Sequence, residues 1–174
     1  GRVGLGATVA ETAGGPPEGM LRMVVAGQGY VGLTRVEGGR LNLAAAVEPE
    51  LLRSCEGPWQ AIERIMGAAG VAFNDAWRDA RWVGTPVLTR SSPRVAAERL
   101  FLIGDAAGYV EPFTGEGIAW SLQSAELVAP LAARGIAAWD ERLCDAWEQT
   151  WKRKVADRQW MCRLLANVLK SPRA

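Results

Sequence analysis

Between Arg2 and Ala10 the apolar residues Val3, Leu5, Ala7 and Val9 alternate with Gly4, Gly6 and Thr8. That two-residue period marks a strand with one buried face. Gly14-Gly15-Pro16-Pro17, within Thr12–Gly19, reads as turn or loop. Leu21–Ala26 is rich in strand-favouring residues, as is Tyr30–Val36, which Gly38-Gly39 closes. Leu41–Val47 is a fourth strand, and the Glu37-Gly38-Gly39-Arg40 turn makes a hairpin of the last two. Neighbouring strands with short links predict an antiparallel sheet rather than alternating βαβ units.

The period then changes. Gly57-Pro58 opens a helix with Pro at the first helical position, and Trp59, Ile62, Ile65, Met66 and Ala69 share one face before Gly70 ends it. Gly84–Arg94 returns to extended chain around Pro86 and Pro93. Leu100–Ile103 is an apolar run long enough only for a buried strand, and it stops at Gly104-Asp105. Gly117–Ala129 is nearly all apolar and predicts a buried helix, which Pro130 ends or kinks, with Gly135 a second stop. From about Asp140 to Lys170 runs an amphipathic pattern. Leu143, Trp147, Trp151 and Val155 carry it at steps of four, and Leu164, Leu165, Val168 and Leu169 continue it to Ser171-Pro172.

Composition narrows the chemistry. An apolar fraction of 49% with 22% charged residues is that of a globular protein. A net charge of +1 gives no electrostatic reason to expect nucleic acid as a partner. No apolar run reaches membrane-spanning length. The chain has no histidine, which removes the commonest general base, the Ser-His-Asp triad and every His-ligated metal. Cys55, Cys144 and Cys162 form no C-x-x-C pair, so no metal site is expected, and reduced thiols in a cytoplasmic protein fit the odd number. Cys144 and Cys162 share a face if the helix is continuous, and are read as small buried apolar residues. The eight tryptophans read as packing. Gly1-Arg2-Val3-Gly4 offers neither Met nor a signal-peptide layout, and a fragment or trimmed chain is expected. Lys152, Arg153, Lys154, Arg158, Arg163, Lys170 and Arg173 make the tail basic, with Asp157 its one acid. This is a solvated helix face or, with its tryptophans, a peripheral membrane contact.

The stretch from Leu100 to Ile118 carries the chemistry. It reads as a buried strand, an acid at the strand's C-terminal end, a Gly/Pro loop and a helix start. Ligands of open α/β sheets sit beyond the carboxyl ends of strands, where Asp105 stands able to accept hydrogen bonds from a sugar or ribityl hydroxyl. Gly115 and Gly117 have no side chain to block close backbone approach. The amides that open the helix suit a phosphate or a delocalised anion such as a reduced flavin ring. Glu116 reads as a first-turn helix acid. Tyr109 and Thr114 are polar loop residues that can face a substrate, and Trp120 lies just beyond the loop. One other match, Gly27-Gln-Gly29-Tyr-Val-Gly32, has the G-x-G-x-x-G spacing of a dinucleotide site. That motif works only where a helix follows, and Leu33-Thr-Arg-Val-Glu-Gly-Gly is β-prone, so a glycine-marked strand pair is expected.

Gly104-Asp-Ala-Ala-Gly-Tyr-Val-Glu-Pro-Phe-Thr-Gly-Glu-Gly-Ile118 closely resembles the second FAD-binding motif of aromatic-hydroxylase-like flavoproteins, a Gly-Asp followed by Pro-x-x-Gly-x-Gly. Its wording is most similar to the geranylgeranyl-reductase-related branch. Gly29-Tyr-Val-Gly-Leu-Thr-Arg-Val and Gly39-Arg-Leu-Asn-Leu-Ala also resemble that family's substrate-domain sheet. The resemblance implies that Gly104 and Asp105 belong to the FAD site, with Asp105 bonding the ribityl chain. It implies that Gly117 and Ile118 offer amides to the pyrimidine edge of the isoalloxazine, and that Pro112 and Gly115 shape the turn beside the ring. No catalytic side chain is singled out.

The fold class expected is α/β (α+β). An antiparallel substrate-domain sheet is followed by the C-terminal part of an FAD-binding domain and by C-terminal helices. Residues 1–84 would be part of the substrate-binding domain, 85–135 the C-terminal part of the FAD-binding domain, and 136–174 a helical region. The resemblance implies an FAD-dependent oxidoreductase that reduces prenyl or other small hydrophobic substrates. A flavin-dependent monooxygenase or halogenase is the alternative on the same fold. Such enzymes begin with a strand, a G-x-G-x-x-G turn and a helix for the ADP half of FAD, and that N-terminal dinucleotide-binding half is missing from these residues. A lipid- or partner-binding fragment without catalysis is therefore the third reading.

Overall fold

A computed structural model of the chain describes residues 1–10, 15–111, 113, 115–160 and 162. Two compact units result, one over Gly1–Leu88 and one over Thr89–Ala166. The class is mixed, helix with antiparallel sheet.

The first unit is a five-stranded sheet in the order β2-β3-β4-β1-β5. Its strands are β1 (Val3–Ala10), β2 (Leu21–Ala26), β3 (Gly29–Val36), β4 (Arg40–Val47) and β5 (Val83–Val87). Every pairing is antiparallel. The alternation seen in β1 has its expected consequence: Leu5, Ala7 and Val9 are buried on one face. On that face they join Leu41, Leu43 and Val47 of β4, Val31 and Leu33 of β3 and Val24 of β2. Helix α2 (Pro58–Ala68) closes the core with Ala61, Ile62, Ile65 and Met66. Pro58 at its start, and Gly70 in left-handed geometry just past its end, are the signals that delimit it. Besides a 3-10 turn over Asp75–Trp77, one short helix lies outside the sequence expectation, α1 (Pro49–Arg53). At five residues it is too short to show a period; its signs are Pro49, Glu50 in the first turn and Arg53 paired back to Glu50 at 2.9 Å.

Gly27–Gly32 is a strand pair. Gly27 and Gln28 form the two-residue turn between β2 and β3, and Gly29 opens β3 against Val47 of β4. A Cβ on Gly29 would run into the Ala46 carbonyl and lie 2.8 Å from Ile65 Cδ1, whereas one on Gly27 would meet nothing within 4 Å. The spacing that imitates a dinucleotide site is thus partly a packing requirement of sheet on helix.

The second unit pairs β6 (Arg90–Ser91) with β9 (Gly108–Tyr109) and β7 (Ala96–Ala97) with β8 (Leu100–Phe101). Two expectations are corrected here. The strand predicted over Leu100–Ile103 stops at Phe101, and Leu100 is 50% exposed, so it is not buried. The stretch predicted as loop from Gly104 to Gly115 contains a single helical turn, α3 (Gly104–Ala107), and then β9. One turn is too short for periodicity to reveal.

Helix α4 (Gly117–Ala137) starts where expected, with Glu116 at the N-cap, but it runs through Pro130 and Gly135. Proline inside a helix costs about 3 kcal/mol. Leu127, Val128 and Leu131 flank it and pack with Trp147 and Trp151, which offsets that cost. The expectation of a fully buried helix fails as well: only Ser124 and Val128 are buried, and Ile118 and Leu122 are largely exposed. Apolar composition does not say which faces the chain itself covers.

The steps of four after Asp140 are realised by α5 (Arg142–Trp151) and a π-helical turn over Lys152–Ala156. Leu143, Trp147, Trp151 and Val155 are all buried. A step of four overshoots an α-turn by roughly 40°, so the row should drift off its face. The π-turn winds more slowly, with the Asp157 amide donating to the Lys152 carbonyl, and Gln159 is still buried beyond it. Trp147 also donates from Nε1 to the Leu102 carbonyl at 3.0 Å. Cys144 and Cys162 are therefore not on one continuous α-helix; Cys162 is buried, Cys144 half-buried, and all three cysteines are free thiols. Leu164–Leu169 and most of Thr12–Gly19's first residues lie outside the described residues. No helix among the described residues is long and apolar enough to cross a membrane.

The crowding at Gly29 gives a direct test. Gly29→Ala should lower the unfolding free energy by about 1–3 kcal/mol through overpacking, while Gly27→Ala should change it by less than about 0.5 kcal/mol. Urea unfolding of both variants checks this; equal effects would remove the packing explanation of the glycine spacing.

Candidate functional site

The site begins at Gly104. Its φ is +53°, in the left-handed region, and a Cβ there would lie 2.6 Å from Ser121 Oγ and 3.5 Å from Ser121 Cα. With no side chain, α3 rests directly on α4. The Gly104 amide donates to Ser124 Oγ at 3.0 Å, inside the contact. Asp105 follows in the first turn of α3 and is exposed. Its Oδ1 lies 4.0 Å from the point a Cβ on Gly117 would occupy, so the acid stands beside the start of α4.

Between them opens a cavity of about 470 Å³, within the roughly 300–1,000 Å³ of ordinary small-molecule sites. Asp105, Gly115, Gly117 and Ile118, expected together from the sequence, all line it. Gly104 does not; it holds the wall from behind. Pro112 and Thr114 lie outside the described residues. Gly115 has φ +71°, the left-handed step that brings the chain into α4. The first-turn amides of α4 have no acceptor within the helix and carry the positive end of its dipole. Trp120 and Val110 supply apolar wall, and the exposed Ile118 and Leu122 form an apolar rim.

Tyr109 lines the same cavity. Burial pushes its phenol above the ordinary range, helped by the nearby Asp105 and Glu111 carboxylates and opposed by Arg90. At neutral pH it is therefore a neutral hydroxyl, able to donate. Glu116, read as a helix acid, accepts a hydrogen bond from the Cys162 thiol at 3.2 Å. Three residues escaped the sequence reading. Glu111 is a lining acid only 3% exposed. Ser121 and Ser124 are one helical turn apart on α4; the available signal was two small hydroxyls in a largely apolar run.

The arrangement offers a carboxylate to accept hydrogen bonds and, close to it, amides to donate, beside apolar wall. It suits a ligand with hydroxyls and a carbonyl-bearing aromatic edge.

The chain matches no protein-family model. It is similar to digeranylgeranylglycerophospholipid reductase 2 of Methanothermobacter thermautotrophicus, with 28% identity over 134 residues. The match takes in 73% of this chain and about a third, 32%, of that protein's length. The resemblance read from Leu100–Ala125 is thus found independently in a reductase sequence. Among solved structures, PqsL of Pseudomonas aeruginosa, a probable FAD-dependent monooxygenase, superposes with TM-score 0.67 at 18% identity. That alignment covers 99% of this chain and 50% of PqsL. The flavin-dependent halogenase CmlS superposes with TM-score 0.61 at 18% identity, over 90% of this chain and 29% of CmlS. At such identities the structures show a shared fold.

Tyr109 offers a readout of the site's field. With only two tyrosines in the chain, ring-labelled tyrosine gives two resonances, which Tyr30→Phe assigns. Tyr109 should titrate above the ordinary phenol value, and Asp105→Asn should move its midpoint down. Because the folded state holds this proton more tightly than the unfolded chain, stability should fall as pH rises from the ordinary phenol value through the folded one. An Asp105→Asn midpoint identical to wild type would mean the two groups do not face one cavity.

Proposed function

We propose that the chain is the C-terminal portion of an FAD-dependent oxidoreductase, a reductase of prenyl or other hydrophobic substrates, and that the 470 Å³ cavity receives the isoalloxazine end of the flavin. One observation carries the proposal: Asp105 and the amide-bearing start of α4 face the same cavity, across a gap kept open by a glycine at 117. Gly117 needs no glycine for the fold, since the nearest atom to its Cβ position is 4.0 Å away. The open space is what a cofactor edge would use.

When bound, the flavin supplies hydride or electron transfer. The chain's own residues bind and orient. Asp105 accepts hydrogen bonds from ribityl hydroxyls. The Gly117 and Ile118 amides donate to the pyrimidine edge, with the dipole of α4 favouring negative charge there. Gly115 shapes the turn beside the ring, and Gly104 fixes Asp105 against α4. Tyr109 holds its proton toward the cavity. Ile118 and Leu122 give the rim the apolar character a prenyl substrate needs. On this reading residues 1–84 contribute the substrate-binding sheet, 85–135 the flavin wall and 136–174 a helical support. The ADP half of FAD is held by a dinucleotide-binding half outside these residues, because Gly27–Gly32 is a strand pair. The exposed Lys152, Arg153 and Lys154 and the 62%-exposed Trp160 fit contact with a membrane surface.

The sequence likeness favours reduction. The structural likeness to PqsL and CmlS supports a second reading, monooxygenation or halogenation on the same flavin wall.

The test uses the full-length protein. Asp105→Ala should weaken FAD binding about tenfold to a hundredfold, since a hydrogen bond to a charged group contributes about 1.5–3 kcal/mol. Gly117→Val should do at least as much by filling the gap. Circular dichroism of both should match wild type. Wild-type flavin occupancy in both variants would remove the cavity from flavin binding; turnover of a prenylated alkene against hydroxylation or halogenation of an arene separates the two reactions.

A further inference from the structure

Asp105 and the α4 amides can act on one ligand only if the distance between them is fixed. Asp105 belongs to a four-residue helix, too short to hold itself. What holds it is one hydrogen bond to Ser124 and close packing against Ser121, two serines of α4. The Gly104 amide donates to Ser124 Oγ at 3.0 Å, and that hydroxyl donates onward to the Ser121 carbonyl at 2.9 Å. The Ser121 hydroxyl donates to the Gly117 carbonyl, also at 2.9 Å. Backbone next to Asp105 is thereby linked, through Ser124 and Ser121, to the residue that opens α4. Ser124 is fully buried, and its hydroxyl is used as acceptor and donor at once. Ser121 Oγ also fills the space against Gly104 that any side chain there would need.

Both hydroxyls donate to carbonyls of α4 itself, but those bonds do not stabilise the helix. Serine bonding back to a carbonyl three or four residues earlier is neutral or slightly unfavourable for a helix, and alanine would be the better helix former. Two such serines one turn apart, both beneath the cavity wall, are explained by the contact they make with α3. We propose that Ser121 and Ser124 are positioning residues, whose hydroxyls set the separation between Asp105 and the first-turn amides of α4. This deepens the flavin reading and rests on it for its consequence, but the geometry it asserts exists in the chain without a ligand.

The closing experiment separates the two. Ser124→Ala and Ser121→Ala are compared with Val128→Ala, which removes buried volume from the same helix one turn beyond Ser124 and does not line the cavity. In the flavin-free protein, both serine variants should move the Tyr109 titration midpoint part of the way that Asp105→Asn moves it, because the carboxylate is no longer held. Val128→Ala should leave it in place while lowering thermal stability at least as much. In the flavin-loaded full-length protein, each serine variant should weaken FAD binding about threefold to tenfold. An unmoved midpoint in both serine variants, or an equal shift in Val128→Ala, overturns the positioning role. Moved midpoints with unchanged FAD affinity keep the clamp and remove the flavin from this cavity.

Discussion

The site depends on the absence of one side chain. Gly104 sits where any Cβ would enter Ser121, in a backbone conformation that glycine adopts freely. Because the two backbones meet there, α3 lies on α4 and the chain after it turns back as β9 to pair with Arg90–Ser91. Trp147 fixes the approach from the other side by holding the Leu102 carbonyl, two residues before Gly104. The cavity is what remains when a strand end, a one-turn helix and a long helix are pinned at such short range. Its contents follow from which residues come next along each segment: the acid after Gly104, the phenol after Gly108, the amides after Glu116.

Electrostatically the cavity is divided. Asp105, Glu111 and Glu116 bring carboxylates to its lining, while the start of α4 brings amide donors and the positive end of a helix of 21 residues. A simple anion would meet repulsion from the acids, and a simple cation would meet the dipole. A neutral, extended ligand that donates at one end and accepts at the other satisfies both walls. This is why the acid and the amides are more informative together than either alone.

Much of this was legible in the sequence, and the reasons differ by element. The sheet was readable because β1 alternates with a two-residue period, β2 and β3 are rich in strand-favouring residues, and glycine turns join β2 to β3 and β3 to β4. α2 was readable because Pro58 and Gly70 bracket a helical stripe. The start of α4 was readable because Gly115 and Gly117 punctuate an apolar run. α1 and α3 escaped because five and four residues cannot display a period. Burial was misjudged wherever it was inferred from composition: Leu100, Ile118 and Leu122 are apolar and exposed. Pro130 was read as a stop by a local rule that the packing of Leu127, Val128 and Leu131 overrides. Ser121 and Ser124 were visible as letters, but their meaning lies in contacts 17 and 20 residues away along the chain, from Ser121 to Gly104 and from Ser124 to Gly104.

The π-turn at Lys152–Ala156 can also be seen as a phase setting. A helix is a screw, and one residue more or less within it turns everything downstream by roughly 100°. Gln159, which donates to the Gly108 carbonyl at 3.2 Å, and Cys162, which meets Glu116, both lie beyond that turn. Their aim at the back of the cavity wall is therefore fixed by the length of the basic stretch that precedes them. A single-residue insertion or deletion there, invisible to composition and to hydropathy, would dial both side chains away from the loop they brace.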